Sequence, residues 1–359
     1  MKVKFKMTKN LKSNLITYGI VIIAYIVMQI LIGTGNLSSL MKGLLVPFCM
    51  YAILAVSLNL TVGILGELSL GHAGFMCIGA FSSAFFSKCM VILVPQMPSL
   101  LRFFFAIVIG AAVAGLFGIL IGIPVLRLKG DYLAIVTLAF GEIIKNLMNI
   151  LYVGLDEKGL HFSFKNTMEL NLSEEGEVIV KGAQGITGTP NDSTFTIGVL
   201  LLLITLAIVL NLIHSRAGRA IMSIRDNTIA AESIGINITK YKLMAFSISA
   251  ALAGLAGVLY AHNLSTLTAT PKNFGYNMSI MILVFVVLGG IGNIRGSMIA
   301  AVLLTLLPEL LRGLRDYRML IYAIVLIVMM LFNWAPKCIE WRKKVVAKLT
   351  HNKKAKEVA

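Results

Sequence analysis

Asn59-Leu-Thr-Val-Gly-Ile-Leu-Gly-Glu-Leu-Ser-Leu-Gly-His-Ala-Gly-Phe75 separates two long apolar runs, at 43–62 and 73–94. Its glycines, Gly63, Gly66, Gly71 and Gly74, are mixed with Glu67, Ser69 and His72, a composition that makes a poor lipid-facing helix. Its meaning depends on whether the flanking runs cross a membrane. Of the 359 residues, 58% are hydrophobic and 13% charged, against roughly 45–50% and 25% in soluble domains. A soluble domain is excluded. At ~20 apolar residues per crossing, the chain supplies at most about ten spans and little else. Freed backbone groups at membrane depth must be buried in protein or line a wet cavity. The 59–75 stretch therefore reads as a broken or re-entrant element beside a translocation path, with Asn59, Glu67, Ser69 and His72 on it. The alternative is a short turn between two spans.

Ten apolar segments lie at about 15–33, 43–62, 73–94, 100–123, 132–151, 196–213, 243–261, 278–292, 298–311 and 320–334. The last three are short or separated only by Gly-rich breaks, so the expectation is an all-α polytopic membrane protein with 8–10 spans. The first run follows a lysine-rich start but continues from Leu15 to Gly33 and lacks an A-x-A site, so it reads as a retained span, not a signal peptide. The expected organisation is a basic tail at 1–14, a transmembrane domain at 15–335 and a second basic tail at 336–359.

The net charge of +16 is partitioned. Five lysines lie between Lys2 and Lys12, and eight basic residues between Lys337 and the end. Charge placed this way carries topology information and attraction to lipid headgroups, and no nucleic-acid partner is expected. The connection 214–242 carries Arg216, Arg219, Arg225, Lys240 and Lys242 against Asp226 and Glu232, which places it in the cytoplasm. The connection 152–195 holds seven of the 16 acids and belongs outside. Counting from these loops puts both termini in the cytoplasm. One loop disagrees: Arg312, Arg315 and Arg318 face outward in a ten-span arrangement. Within 152–195, alternation over Phe162–Leu172 and then at Val178 and Val180, across a turn at 174–176, predicts a small β-hairpin.

Enzymatic signatures are missing from the sequence: no phosphate loop, no zinc helix, no Cys/His cluster with metal spacing. Moving a solute is the default task. Glu142 lies ten residues after Tyr132, hence ~15 Å into its span, with Lys145 at i+3. This is either a self-neutralising pair or a solute or proton ligand. Asp226 or Asn227 suits an N-cap and Gly235 a C′ position, which delimits a helix of about two turns in the 214–242 loop. Small-xxx-small spacings at Gly118 and Gly122, and at Ala250, Ala253, Gly254 and Gly257, mark close helix contact.

Four stretches then resemble one family. Leu65-Gly-Glu-Leu-Ser-Leu-Gly-His-Ala-Gly-Phe-Met-Cys-Ile-Gly-Ala80, Arg127–Glu142, Ile229–Asn237 before Tyr241-Lys242, and Val287-Leu-Gly-Gly-Ile-Gly292 are similar, in order, to the M-type permease subunit of branched-chain amino acid ABC importers. The resemblance implies a type II ABC importer fold and a coupling segment, here Arg225, Asp226, Ala230, Ala231, Glu232 and Gly235, that docks on an ATPase. It also implies a sister permease, two ATP-binding subunits, an extracytoplasmic substrate-binding protein and a bacterial cell membrane. No cofactor is expected on this chain, because ATP is hydrolysed on another. Glu67 stands where that family commonly has glutamine. A urea or amide importer, and a stand-alone proton-coupled transporter working through Glu142, remain the alternatives at this point.

Overall fold

The computed structural model describes residues 9–311, apart from 36, 129, 158, 174 and 175, together with scattered positions between 317 and 331. The tails at 1–8 and 332–359, most of the 320–334 segment, and Arg312, Arg315 and Arg318 lie outside the described residues. In chain order the elements are α1 (Lys9–Gly33), α2 (Ser39–Asn59), a π-helical turn (Leu60–Leu65), α3 (His72–Leu93), α4 (Ser99–Val125), α5 (Asp131–Ile150), β1 (Tyr152–Asp156), β2 (Gly159–Ser163), β3 (Glu177–Lys181), β4 (Ile186–Thr187), α6 (Phe195–His214), α7 (Arg216–Asp226), α8 (Thr228–Ser233), α9 (Ile238–Ala261), β5 (Thr266–Leu267), α10 (Pro271–Phe274), α11 (Tyr276–Gly289) and α12 (Ile294–Leu310).

Among the described residues, eight helical segments are long and apolar enough to cross a membrane: those beginning at Asn14, Ser39, His72, Ser99, Asp131, Phe195, Ile238 and Pro271. The ninth expected span corresponds to α12, which at 17 residues is shorter than a usual crossing. The chain is a multi-pass membrane protein built on an α-helical trunk.

That trunk forms where small residues let backbones approach, since lipid supplies no hydrophobic force between helices. Around α9 the contacts are glycine to backbone. A Cβ on Gly79 of α3 would collide with the backbone of Gly254, and one on Gly254 with Ala114 of α4. Gly257 faces Met76 and Ala80, while a Cβ on Gly118 would lie 2.6 Å from that of Ala250. Gly122 meets Leu243 and Phe246. On the other side of α9 runs α2, buried almost without interruption from Leu45 to Asn59.

The loop 152–195 departs from the hairpin expected there. It contributes four strands, which the β5 segment after α9 extends into one antiparallel sheet of order β2-β1-β3-β4-β5. β1, not the 160–172 stretch, is the partner of β3, with Tyr152 opposite Lys181 and a bulge at Val153/Gly154. β1 also pairs with β2, Val153 opposite Phe162. Of the alternating residues only Phe162, Val178 and Val180 lie in strands; Met168–Leu170 forms a 3-10 turn, and Phe164 and Leu172 lie in the connection.

Candidate functional site

The break after α2 is built from the helix end outward. Hydrogen bonds widen into the π turn, and the Glu67 N–H donates to the Thr61 carbonyl at 3.1 Å. Gly66 at φ +82° then turns the chain out of the helix, a conformation that glycine adopts without steric cost. A helix ending leaves carbonyls without partners. The Gly63 carbonyl accepts from Arg225 Nη1 at 3.0 Å, and the same side chain lies over Gly66, where a Cβ would meet Arg225 Cγ at 2.5 Å. A cation at a helix C-terminus also has favourable dipole energy.

Glu67, next in the chain, forms an ion pair with Lys242 of α9; both side chains are mostly buried. At the start of the π turn, Asn59 accepts from the Gly292 N–H at 2.8 Å and donates to Ser297 Oγ at 3.1 Å, which fastens the turn between α11 and α12. There is no room for a side chain on Gly63, which abuts Asn59 and the Gly292 backbone. The π turn is thereby tied to α7, α9 and α12 at once.

Beyond Glu67 the extended segment is held by other helices. The Leu70 N–H donates to Thr137 Oγ1 at 3.0 Å, and the Ala73 N–H to Ser279 Oγ at 3.1 Å. Gly71 and Gly74 lie directly on the α5 backbone at Thr137 and Gly141. His72 is buried and pairs with Ser57 at 2.7 Å. Because the Ser57 hydroxyl already donates to the Leu54 carbonyl at 2.9 Å, it accepts from His72 Nε2–H. The buried Ser69 hydroxyl has no hydrogen-bond partner. Glu142 forms an ion pair with Lys145 and accepts the Tyr276 N–H at 2.8 Å, so a carboxylate caps the first turn of α11.

In the 214–242 connection, Ser215 caps α7 by accepting from Gly218 N, and Asn227 caps α8 by accepting from the Ala230 N–H at 3.0 Å. Gly235 follows at φ +83°. Arg225 also pairs with Asp226, and Ala231 is buried, while Glu232, Ile229 and Ile234 project outward. The structure thus brings Asn59, Glu67 and Arg225 into one cluster, leaves His72 and Ser69 in the adjoining core, and sets Glu142 on the far side of the break with Lys145. Thr137, Ser279 and the pairing role of Lys242 were not foreseen. Thr137 and Lys242 lie in or beside the motif stretches; nothing in the sequence distinguishes Ser279 from other intramembrane serines. Among the described residues no cluster of three or more metal-ligating side chains occurs.

Comparison with known proteins accords with this architecture. The family described as branched-chain amino acid transport system / permease component matches residues 40–332. The high-affinity branched-chain amino acid transport system permease protein LivM of Salmonella typhimurium is 36% identical over 296 residues, covering 80% of this chain and 67% of that protein. LivM of Escherichia coli is 34% identical over the same shares. The permease protein LivH of Escherichia coli is 24% identical over 71% of this chain and 79% of its own length. No solved structure matches. The chain belongs to the branched-chain amino acid transport system permease component family.

Proposed function

We propose that the chain is one permease half of an ATP-driven importer of branched-chain amino acids, working by alternating access. The observation that supports this reading is the hold of Arg225 on the Gly63 carbonyl, which joins the exposed α7–α8 segment to the intramembrane break. α8 packs on the chain through buried Ala231 and, with the residue after it, leaves Ile229, Glu232 and Ile234 exposed for a partner. In this reading Arg225, Asp226, Ala230, Ala231, Glu232 and Gly235 form the surface that an ATPase engages. Closure of the ATPase shifts α7–α8. Arg225 carries the shift to the π turn, Lys242 carries the shift of α9 to Glu67, and the 67–71 segment slides between Thr137 and Ser279 to alter access.

The names of the LivM and LivH relatives support the substrate class; the chain's likeness to the autoinducer 2 and ribose import permeases LsrC and RbsC covers only 45% and 33% of it, and none of these names favours a urea importer or a proton-coupled carrier. The LivM and LivH names also support a second permease subunit and ATPase partners. The remaining assembly, two ATP-binding subunits and a binding protein docking at the sheet end, rests on the family resemblance. Lysine and arginine bias supports an orientation with α7–α8 and both termini in the cytoplasm of a bacterial cell membrane.

The test is uptake of labelled leucine by vesicles holding the co-purified complex. ATP-dependent uptake that valine and isoleucine compete away and urea does not is expected. Urea uptake, or leucine uptake without ATP, contradicts the reading.

A further inference from the structure

At the sheet end, a groove of about 200 Å³ opens between α3, α4 and α5 beneath the sheet. Its walls include Ser82, Val113, Phe117, Leu147, Val153 and Phe162. The one hydroxyl among them is already committed, since Ser82 donates to the Ile78 carbonyl at 2.7 Å. A zwitterionic amino acid entering this groove would lose its hydration and find no partner. An alkyl chain loses nothing there.

Depth follows from the helix and the strand register. The 20 residues of α5 rise ~30 Å, the thickness of a hydrocarbon core, so Tyr152 lies at its boundary. Phe162 is opposite Val153, one strand spacing (~5 Å) away, and so lies close to the same boundary. It is 62% exposed, and Leu160, Phe164 and Met168 beside it are exposed as well. A water-facing edge strand carrying Leu160 and Phe162, followed at once by exposed Phe164 and Met168, would be an aggregation hazard. Aromatic side chains at the boundary of the apolar core are instead what a membrane interface selects. The groove is also continuous with α4, whose outward residues Phe104, Val108, Leu116 and Leu120 are exposed and apolar.

We propose that this groove holds an acyl chain of a phospholipid from the leaflet at the sheet end, with Phe162 and Phe164 seated at the ester level as anchors for β2. The bilayer then stabilises the sheet from its β2 edge, while β5 secures the opposite edge to the chain after α9.

Tryptophan fluorescence in the assembled complex tests this. With Trp334 and Trp341 replaced by Phe, Phe162→Trp is reconstituted into vesicles of phosphatidylcholine brominated at carbons 6 and 7 of one chain. A loss of emission relative to unbrominated lipid is expected for a residue at the membrane boundary, with little quenching by aqueous iodide. Leu147→Trp, inside the groove, should behave likewise. Iodide quenching without bromine quenching means a water-facing strand and overturns the proposal. Shielding from both quenchers means coverage by another protein chain and overturns it equally. If Phe162→Trp does not assemble, Phe164→Trp gives the same reading.

Discussion

The two ends of the molecule are secured by different means. At the sheet end, five strands join the α5–α6 connection to the chain after α9, and Lys88–Glu177 and Arg102–Asp192 add ion pairs at 2.9 and 2.8 Å. Buried His262 locks the end of α9, donating through Nδ1 to the Val258 carbonyl and accepting the Ser87 hydroxyl at 2.8 Å. At the α7–α8 end, α7 and α9 are instead fastened to the π turn by Arg225 to Gly63 and by Glu67 to Lys242. Backbone ladders resist displacement cooperatively; a few charged side chains can release and re-form. One end is held by a backbone ladder, while the other rests on a few side-chain contacts, the arrangement that the proposed coupling through Arg225 requires.

The comparison is broken most completely through the trunk on which both ends depend. Gly254→Leu pushes a side chain into Ala114 and the Gly110 carbonyl. Overpacking of this kind costs about 3 kcal/mol or more where backbone must move, and loss of folded protein on size exclusion is expected. Next comes Glu67→Lys, which sets two cations together. Breaking a buried pair costs about 3 kcal/mol, roughly a hundredfold in population, so uptake should collapse, and the swap Glu67→Lys with Lys242→Glu should restore much of it. Failure of the swap together with normal uptake in the single variant would remove Glu67 from the mechanism.

Glu142→Gln combined with Lys145→Met should do much less. The buried ammonium leaves together with its partner, the amide oxygen still accepts the Tyr276 N–H, and ATP-dependent uptake should fall severalfold at most, about 1 kcal/mol; abolished uptake would instead mark Glu142 as a relay. The smallest effect concerns the sheet end. Burial holds the His262 imidazole below the ordinary histidine value, with Asp192 opposing and Arg102 reinforcing the shift. Below about pH 6.5 the unfolded chain gains a proton that the folded chain refuses, so stability declines as pH falls. Thermal unfolding between pH 7 and 5 should show a smaller loss in His262→Gln than in the natural chain.

Much of this was legible in the sequence, for reasons particular to each element. Spans are legible because a bilayer tolerates little else, and the break because Gly63, Gly66, Gly71 and Gly74 cannot serve a lipid-facing helix. The caps at Asn227 and Gly235 are local chemistry and read directly. Long-range pairings were not legible. Glu67 and Lys242 lie on opposite sides of four intervening spans in the chain, and an isolated charge carries no record of its partner. The same holds for Asn59 with Gly292, which only the close approach of Gly63 makes possible. Alternation within 160–180 located β3 but overran β2, which ends at Ser163, and gave β3 the wrong partner, since β3 pairs with the residues just after α5.

The central claim is that Arg225 carries movement from α7–α8 to the break. Its most direct test is leucine transported per ATP hydrolysed by vesicles holding Arg225→Gln beside the natural complex. ATP hydrolysis within about twofold of normal, with uptake reduced tenfold or more (about 1.4 kcal/mol), is the expected result. An unchanged ratio of transport to hydrolysis contradicts the account.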